Sequence, residues 1–330
     1  MCADTSATSV LVTLVKSRAI FSRKILDNIQ RHGQNISFLV PEFRPSRTGK
    51  SVNETSPIAK ANELVNKSLE EKTLVKKSLD GNIGTITLHN PSKHNALGAA
   101  LIGELLVALS DLTNSGARAI ILRAYKGAKV WSAGHDVREL PTNGRDPLTY
   151  DDPLRTVVRV IKESPVPIIA MVEGSVWGGA CEVAMSCDIV IAAEGTTFAI
   201  TPAKLGVPYD IEGTLSFMQS VSLPVIKEML FTAQPMSADR ALRVGLINQV
   251  VPTERLESAT TELAGHMIRN SPLVISLLKE QLRVLGEAHP LNPEGFQRIQ
   301  AIRRRIYDST DYQEGIRACF ERRDPQFQGR

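Results

Sequence analysis

Little in this chain of 330 residues offers a covalent staple or a membrane anchor. Cysteine occurs four times, as Cys2, Cys181, Cys187 and Cys319, and never as a C-x-x-C pair. That usage argues against a disulfide framework and a cysteine-ligated zinc site, and fits a reducing compartment. No apolar run reaches the roughly 18–20 residues that a membrane-spanning helix needs. Also missing are G-x-G-x-x-G after a first strand, G-x-x-x-x-G-K-[ST], a G-x-S-x-G elbow and H-E-x-x-H. The usual signatures of dinucleotide, nucleoside triphosphate, serine-hydrolase and zinc-protease chemistry are therefore absent. His89 and His94, five apart in a turn region, read as solvated rather than metal-bound. No metal site is expected.

Charge is unevenly spread. The net charge is +4, yet residues 1–77 carry 13 Lys/Arg against 7 Asp/Glu, and the remainder has a small acidic excess. A nucleic-acid-binding domain shows its basic excess on one face of the folded body, so no nucleic-acid partner is expected. Residues 1–40 contain only two acids, Asp4 and Asp27, among several serines and arginines. That composition resembles a targeting presequence, although the first basic residue is Lys16. The expected compartment is the cytoplasm, or the mitochondrial matrix if residues 1–40 are such a presequence. Residues 41–57 read as a linker and 58–72 as a short helix, so 1–73 is expected to be a poorly structured extension.

From Leu74 onward the pattern changes. Val75 to Leu88 predicts two strands around the turn Asp80-Gly81-Asn82. Leu101, Leu105, Leu106 and Leu109 have helical spacing. The runs AIILR (119–123), PIIAMVE (167–173) and IVIAA (189–193) predict buried strands, with a helix over Gly178 to Cys187 between the last two. Strand and helix in alternation predict an α/β fold with parallel pairing. The end is helical, over 254–269, 272–285, 292–308 and 312–322.

Three segments interrupt strand-to-helix transitions with glycine and polar residues: 132–136 (SAGHD), 173–180 (EGSVWGGA) and 201–213 (TPAKLGVPYDIEG). In the second, backbone N–H groups at a helix start lack intrahelical partners, and Gly178 and Gly179 let a ligand approach closely. Such a turn suits an anion or a developing oxyanion. It equally suits a tight turn with close packing, and the residues alone leave that choice open.

SAGHD, followed by EGSVWGGACEVAMSCDIVIAAEGTTFAITPAKLG, resembles the enoyl-CoA hydratase/isomerase (crotonase) family. NPSKHNALG resembles its CoA-contacting turn, and FERRDPQFQG its terminal helix and tail. The resemblance spans about 74–330. It implies a spiral of ββα repeats over 74–265 and a C-terminal helical region, 266–330, that assembles homotrimers or homohexamers. It also implies an acyl-CoA substrate and an oxyanion hole made by the backbone N–H groups of His135 and Gly179. The family's two hydratase glutamates correspond to Glu182, a conceivable acid or base, and to Pro202, which can be neither. Its substrate contacts correspond to Ala133, Asp136, Ala96 and Gly178, with Lys93 and Arg322 near the phosphates.

The loop Leu205-Gly206-Val207-Pro208-Tyr209, with HDVRELPTNGRDPLTYDDPLR, is similar to the branch of this family that decarboxylates methylmalonyl-CoA. That implies loss of CO₂ through a thioester enolate, with the Tyr209 hydroxyl holding the carboxylate and Ile200, Val207 and Trp177 as apolar walls. No cofactor is needed, because the thioester is the electron sink. The alternatives are a malonyl- or ethylmalonyl-CoA substrate, another hydratase or isomerase reaction of the family, such as hydration using Glu182 and a non-standard second group, and an RNA-binding or scaffold protein.

Overall fold

The structure, a computed structural model, describes residues 73–140, 151–286 and 293–329. The expectations for 1–40, 41–57 and 58–72 lie outside the described residues.

Strands β1 (Val75–Asp80) and β2 (Ile83–Leu88) form the hairpin the sequence predicts. Gly81 turns it at a φ of 55°, where glycine carries no Cβ penalty. Helix α1 (Ala99–Asn114) follows, burying Leu101, Ile102, Leu105, Ala108, Leu109 and Leu112 along one stripe. Then come β3 (Ala119–Ala124), β4 (Val130–Ser132) and α2 (Pro153–Glu163). The pattern repeats with β5 (Ile168–Val172), β6 (Ser175–Trp177) and α3 (Gly179–Ser186), and again with β7 (Ile189–Ala193) and β8 (Thr197–Ala199). Beyond these lie α4 (Ile211–Ser220), α5 (Leu223–Thr232), β9 (Met236–Ser237), α6 (Ala238–Arg243), β10 (Gln249–Val251) and α7 (Leu256–Ile268). Three further helices, α8 (Pro272–Gly286), α9 (Pro293–Tyr307) and α10 (Thr310–Glu321), complete the described chain.

The long strand of each repeat joins one sheet and the short strand another. The orders are β1-β2-β3-β5-β7-β10 and β4-β6-β8-β9, parallel except at β1–β2 and β8–β9. Because successive residues of a strand face opposite ways, the larger sheet divides its apolar residues between two layers. Ile120, Leu122, Ala170 and Val190 face the core shared with α1, α2 and α3. Ile121, Ile169, Met171 and Ile191 face α7 through Leu256 and Ala264. Burial on both faces explains why β3, β5 and β7 read as unbroken apolar runs. Among the described residues no helix is long and apolar enough to cross a membrane.

Candidate active site

The short strands β4 and β6 run side by side, which brings the loops that leave them together. The first loop is pinned by Asn95. This residue is fully buried at a φ of 52°, a conformation that asparagine tolerates. Its side chain accepts from Asn90 N at 2.7 Å and donates to Trp131 O at 2.9 Å, while its own carbonyl accepts from Ser132 Oγ at 2.7 Å. Leu97 N donates to Gly134 O at 2.8 Å. The 90–97 turn is thus stitched to the segment that ends at His135.

Gly134, at a φ of 82°, is the point of closest approach between the loops: a Cβ there would strike Trp177 O and stand 3.0 Å from Gly179 N. A Cβ on Gly179 would in turn stand 3.6 Å from His135 N. Gly178 caps α3 with a φ of 54° and a ψ of −125°, leaving Gly179 at the first helical position. Its amide is one of the orphan donors of a helix start. Among the described residues no protein acceptor takes the N–H of His135 or of Gly179. The two amides therefore form a pair of neighbouring, uncommitted donors at the positive end of a helix dipole.

They open on a cavity lined by Ala133, His135, Gly178 and Gly179 on one side and by Val137, Leu140, Leu154 and Leu205 on another. Thr201, Pro202, Val207, Tyr209 and Arg155 close it. Pro202 does occupy a cavity wall, so no carboxylate enters from that position. Of the expected apolar walls only Val207 is one. Ile200, just past β8, is packed into the core cluster with Val176 and Phe198, and Trp177 is half-buried outside the lining.

Glu182 differs most from expectation. It is fully buried, does not line the cavity, and is held bidentately by the guanidinium of Arg155 from α2. Tyr209 donates its hydroxyl to Glu182 Oε2 at 2.7 Å. A carboxylate so engaged is turned away from the cavity lining, and the geometry does not present it there as an acid or base. The Tyr209 proton is likewise committed, so the hydroxyl does not offer the cavity a free donor. Arg155 also faces Asp210, Nε to Oδ2 at 3.1 Å. Burial and the Glu182 charge push the Asp210 carboxyl up to about 6, against the pull of Arg155. Burial, then the Glu182 charge, raises the Tyr209 phenol well above its usual range, so its proton stays on. Asp210 caps α4 by accepting from Gly213 N at 2.6 Å.

His135 brings more than its amide. Its Nδ1 lies 3.2 Å from Asp136 O and its Nε2 3.6 Å from Asp152 Oδ2. Burial opposes charging of the ring, but Asp152, the Asp136 carbonyl and Glu139 outweigh it and raise the pKa above the usual 6.5. The other expected contacts lie outside the cavity lining. Lys93 Nζ pairs with Asp136 Oδ2 at 3.1 Å, Ala96 is half-buried in the 90–97 turn, and Arg322 is exposed after α10. Asp152, Arg155, Asp210 and Asn95 were not singled out from sequence. Arg155 alone left a trace there, as a cation among Leu154, Val157, Val158 and Ile161 on the apolar face of α2.

Residues 78–330 match the enoyl-CoA hydratase/isomerase family. The chain belongs to that family. It is 52% identical over 247 residues to methylmalonyl-CoA decarboxylase of Escherichia coli strain K12, covering 75% of this chain and 95% of that protein. It is 34% identical over 259 residues to the human mitochondrial enoyl-CoA hydratase domain-containing protein 3, covering 76% of this chain and 81% of that one. Among solved structures, methylmalonyl-CoA decarboxylase in complex with 2-nitronate-propionyl-CoA superposes with a TM-score of 0.77 at 50% identity, over 78% of this chain and 99% of that chain. The ββα repeats expected from the resemblance are those of the observed fold.

Proposed function

We infer that this chain decarboxylates methylmalonyl-CoA to propionyl-CoA and CO₂. The observation that carries the reading is the pair of uncommitted amides, His135 N and Gly179 N, facing a mostly apolar cavity whose second carboxylate position is Pro202. The identity to the Escherichia coli decarboxylase supports the choice of substrate.

The two amides receive the thioester oxygen. As the bond from Cα to the carboxylate breaks, its electron pair enters the thioester π system and the oxygen becomes an enolate oxyanion. One such preorganised donor contributes about 3 kcal/mol to a transition state. Val137, Leu140, Leu154 and Val207 surround the acyl group with apolar surface, which disfavours a carboxylate and tolerates neutral CO₂. Tyr209 limits where the carboxylate can stand, so that the breaking bond lies across the thioester plane. The His135 ring, whose hold on a proton Asp152 strengthens, gives that proton to Cα, and solvent restores it. No cofactor takes part in this scheme.

CoA runs outward along the 90–97 turn, past the backbone of Ala133 and Ala96 and beside Asp136. Lys93, with a side chain 43% exposed despite its pairing, and the exposed Arg322 are its phosphate partners. In the helical region 266–330, α8 exposes Leu273, Val274, Leu277, Leu282 and Leu285. A solvent-facing apolar row of this kind supports assembly into the trimer or hexamer, which light scattering tests. The unpaired thiols of buried Cys181 and Cys187 support a cytoplasmic or matrix setting.

The enolate itself is tested in D₂O. Propionyl-CoA formed by the enzyme should carry one deuterium at Cα, and added propionyl-CoA should exchange its α protons slowly. Product without deuterium contradicts an enolate released from the oxyanion hole.

A further inference from the structure

A phenol has one proton, and in this structure the proton of Tyr209 points out of the cavity. It lies on the 2.7 Å hydrogen bond to Glu182 Oε2. Both Glu182 oxygens already accept from N–H groups of Arg155, so toward the phenol this carboxylate is an acceptor. Tyr209 lines the cavity and Glu182 does not. What the phenol turns toward an acyl group is therefore oxygen lone pairs. The ring is fixed from both sides: it packs on Phe217 with centroids 5.9 Å apart, and the Cα of Gly213 lies so close that a Cβ there would strike Tyr209 Cε1.

We propose that Glu182 is a positioning residue for the decarboxylation: by taking the Tyr209 proton it makes Tyr209 an acceptor that crowds the substrate carboxylate instead of a donor that holds it. This rests on the decarboxylase reading of the same cavity. A donor would stabilise the charged carboxylate most in the ground state and would lose that interaction as neutral CO₂ forms, slowing the step. An acceptor acts in the opposite sense, since the repulsion is relieved as the charge moves to the thioester oxygen at the two amides. Arg155 serves the same end one step further back, its two N–H groups keeping Glu182 Oε2 aimed at the phenol, while Asp210 holds the guanidinium from the Nε side.

The test compares binding of two stable thioethers by calorimetry: 2S-carboxypropyl-CoA, which carries the carboxylate, and 2-methylpropyl-CoA, which carries a methyl in its place. In the full-length Tyr209→Phe protein the carboxylate ligand should bind more tightly than to wild type, by about fivefold for one unfavourable polar contact removed. The neutral ligand should hardly change. Glu182→Gln should show the same selective tightening, together with a lower kcat and a lower KM for methylmalonyl-CoA. Unchanged or weaker carboxylate binding in Tyr209→Phe overturns the proposal, as does a parallel shift for both ligands. That variant alters no charge, so it decides the matter even if Glu182→Gln fails to fold. Wild-type turnover of methylmalonyl-CoA is followed in the same preparations. Its absence would remove the decarboxylase reading itself, whereas turnover with the opposite Tyr209→Phe result removes only the acceptor role.

Discussion

His135 Nε2 stands 3.6 Å from Asp152 Oδ2, and the other oxygen of that carboxylate caps helix α2 through Leu154 N at 2.8 Å. One aspartate thus fixes the start of a core helix and favours the protonated form of the imidazole beside the two uncommitted amides.

The pH dependence follows from that pair. The folded pKa of His135 is raised above 6.5. The stabilisation from its pairing is complete below the unfolded value and is lost as pH rises through the folded one. Turnover should fall over that same alkaline window as the proton donor is lost. Asp152→Asn keeps a good helix cap and should move the alkaline limb of the pH–rate profile to lower pH. An alkaline limb that stays put in the variant argues against the Asp152 carboxylate as its cause.

Removing Arg155 should be costly for stability. Arg155→Met strands Glu182 and Asp210 in the interior, and breaking a buried pair costs about 3–5 kcal/mol. Asp210, which burial already pushes up to about 6, then loses the opposing pull of Arg155 and is easier still to protonate. The folded variant binds protons more readily than its unfolded chain, so the loss should shrink as pH falls. Urea denaturation at mildly acidic and mildly alkaline pH measures the difference.

Gly213→Ala should separate fold from function. The new Cβ points at Tyr209 Cε1 and sits 3.0 Å from Glu182 Oε2, so the phenol must shift. Alanine is otherwise the better helix former by about 1 kcal/mol. We expect kcat/KM to fall about tenfold or more, on the scale of a misplaced active-site group, with circular dichroism unchanged.

The acyl pocket should widen on Leu154→Ala. The Leu154 side chain lies over Gly179, where a Cβ would come within 2.7 Å of its Cδ2. An extra methylene in a fitted pocket is worth about 1–3 kcal/mol, so the ratio of kcat/KM for ethylmalonyl-CoA over methylmalonyl-CoA should rise by about tenfold or more. An unchanged ratio would place the α-substituent elsewhere.

The legible parts of the sequence were those where local pattern and tertiary role coincide. Strands β3, β5 and β7 are runs of five or six residues buried on both faces, long enough to stand out. Strands β4, β6 and β8 have three residues each, too few for a period, so the second sheet went unread even though it sets the two loops side by side. The loops that carry the amides of His135 and Gly179 were visible because glycine marks backbone that comes close, while the pairing of those two amides came from the family resemblance. The clamp of Arg155 on Glu182 was not legible because the two residues are 27 apart and only folding brings them together. The imidazole of His135 was passed over because the resemblance assigns work to its amide, and Asp152 becomes its partner only when α2 docks.

The most direct measurement is incubation of the purified protein with methylmalonyl-CoA, following CO₂ and propionyl-CoA by mass spectrometry, with crotonyl-CoA in parallel. The account predicts turnover of methylmalonyl-CoA and no hydration of crotonyl-CoA. Hydration of crotonyl-CoA without decarboxylation would contradict it, and would mean that an acid–base pair operates in the cavity despite Pro202 and the locked Glu182.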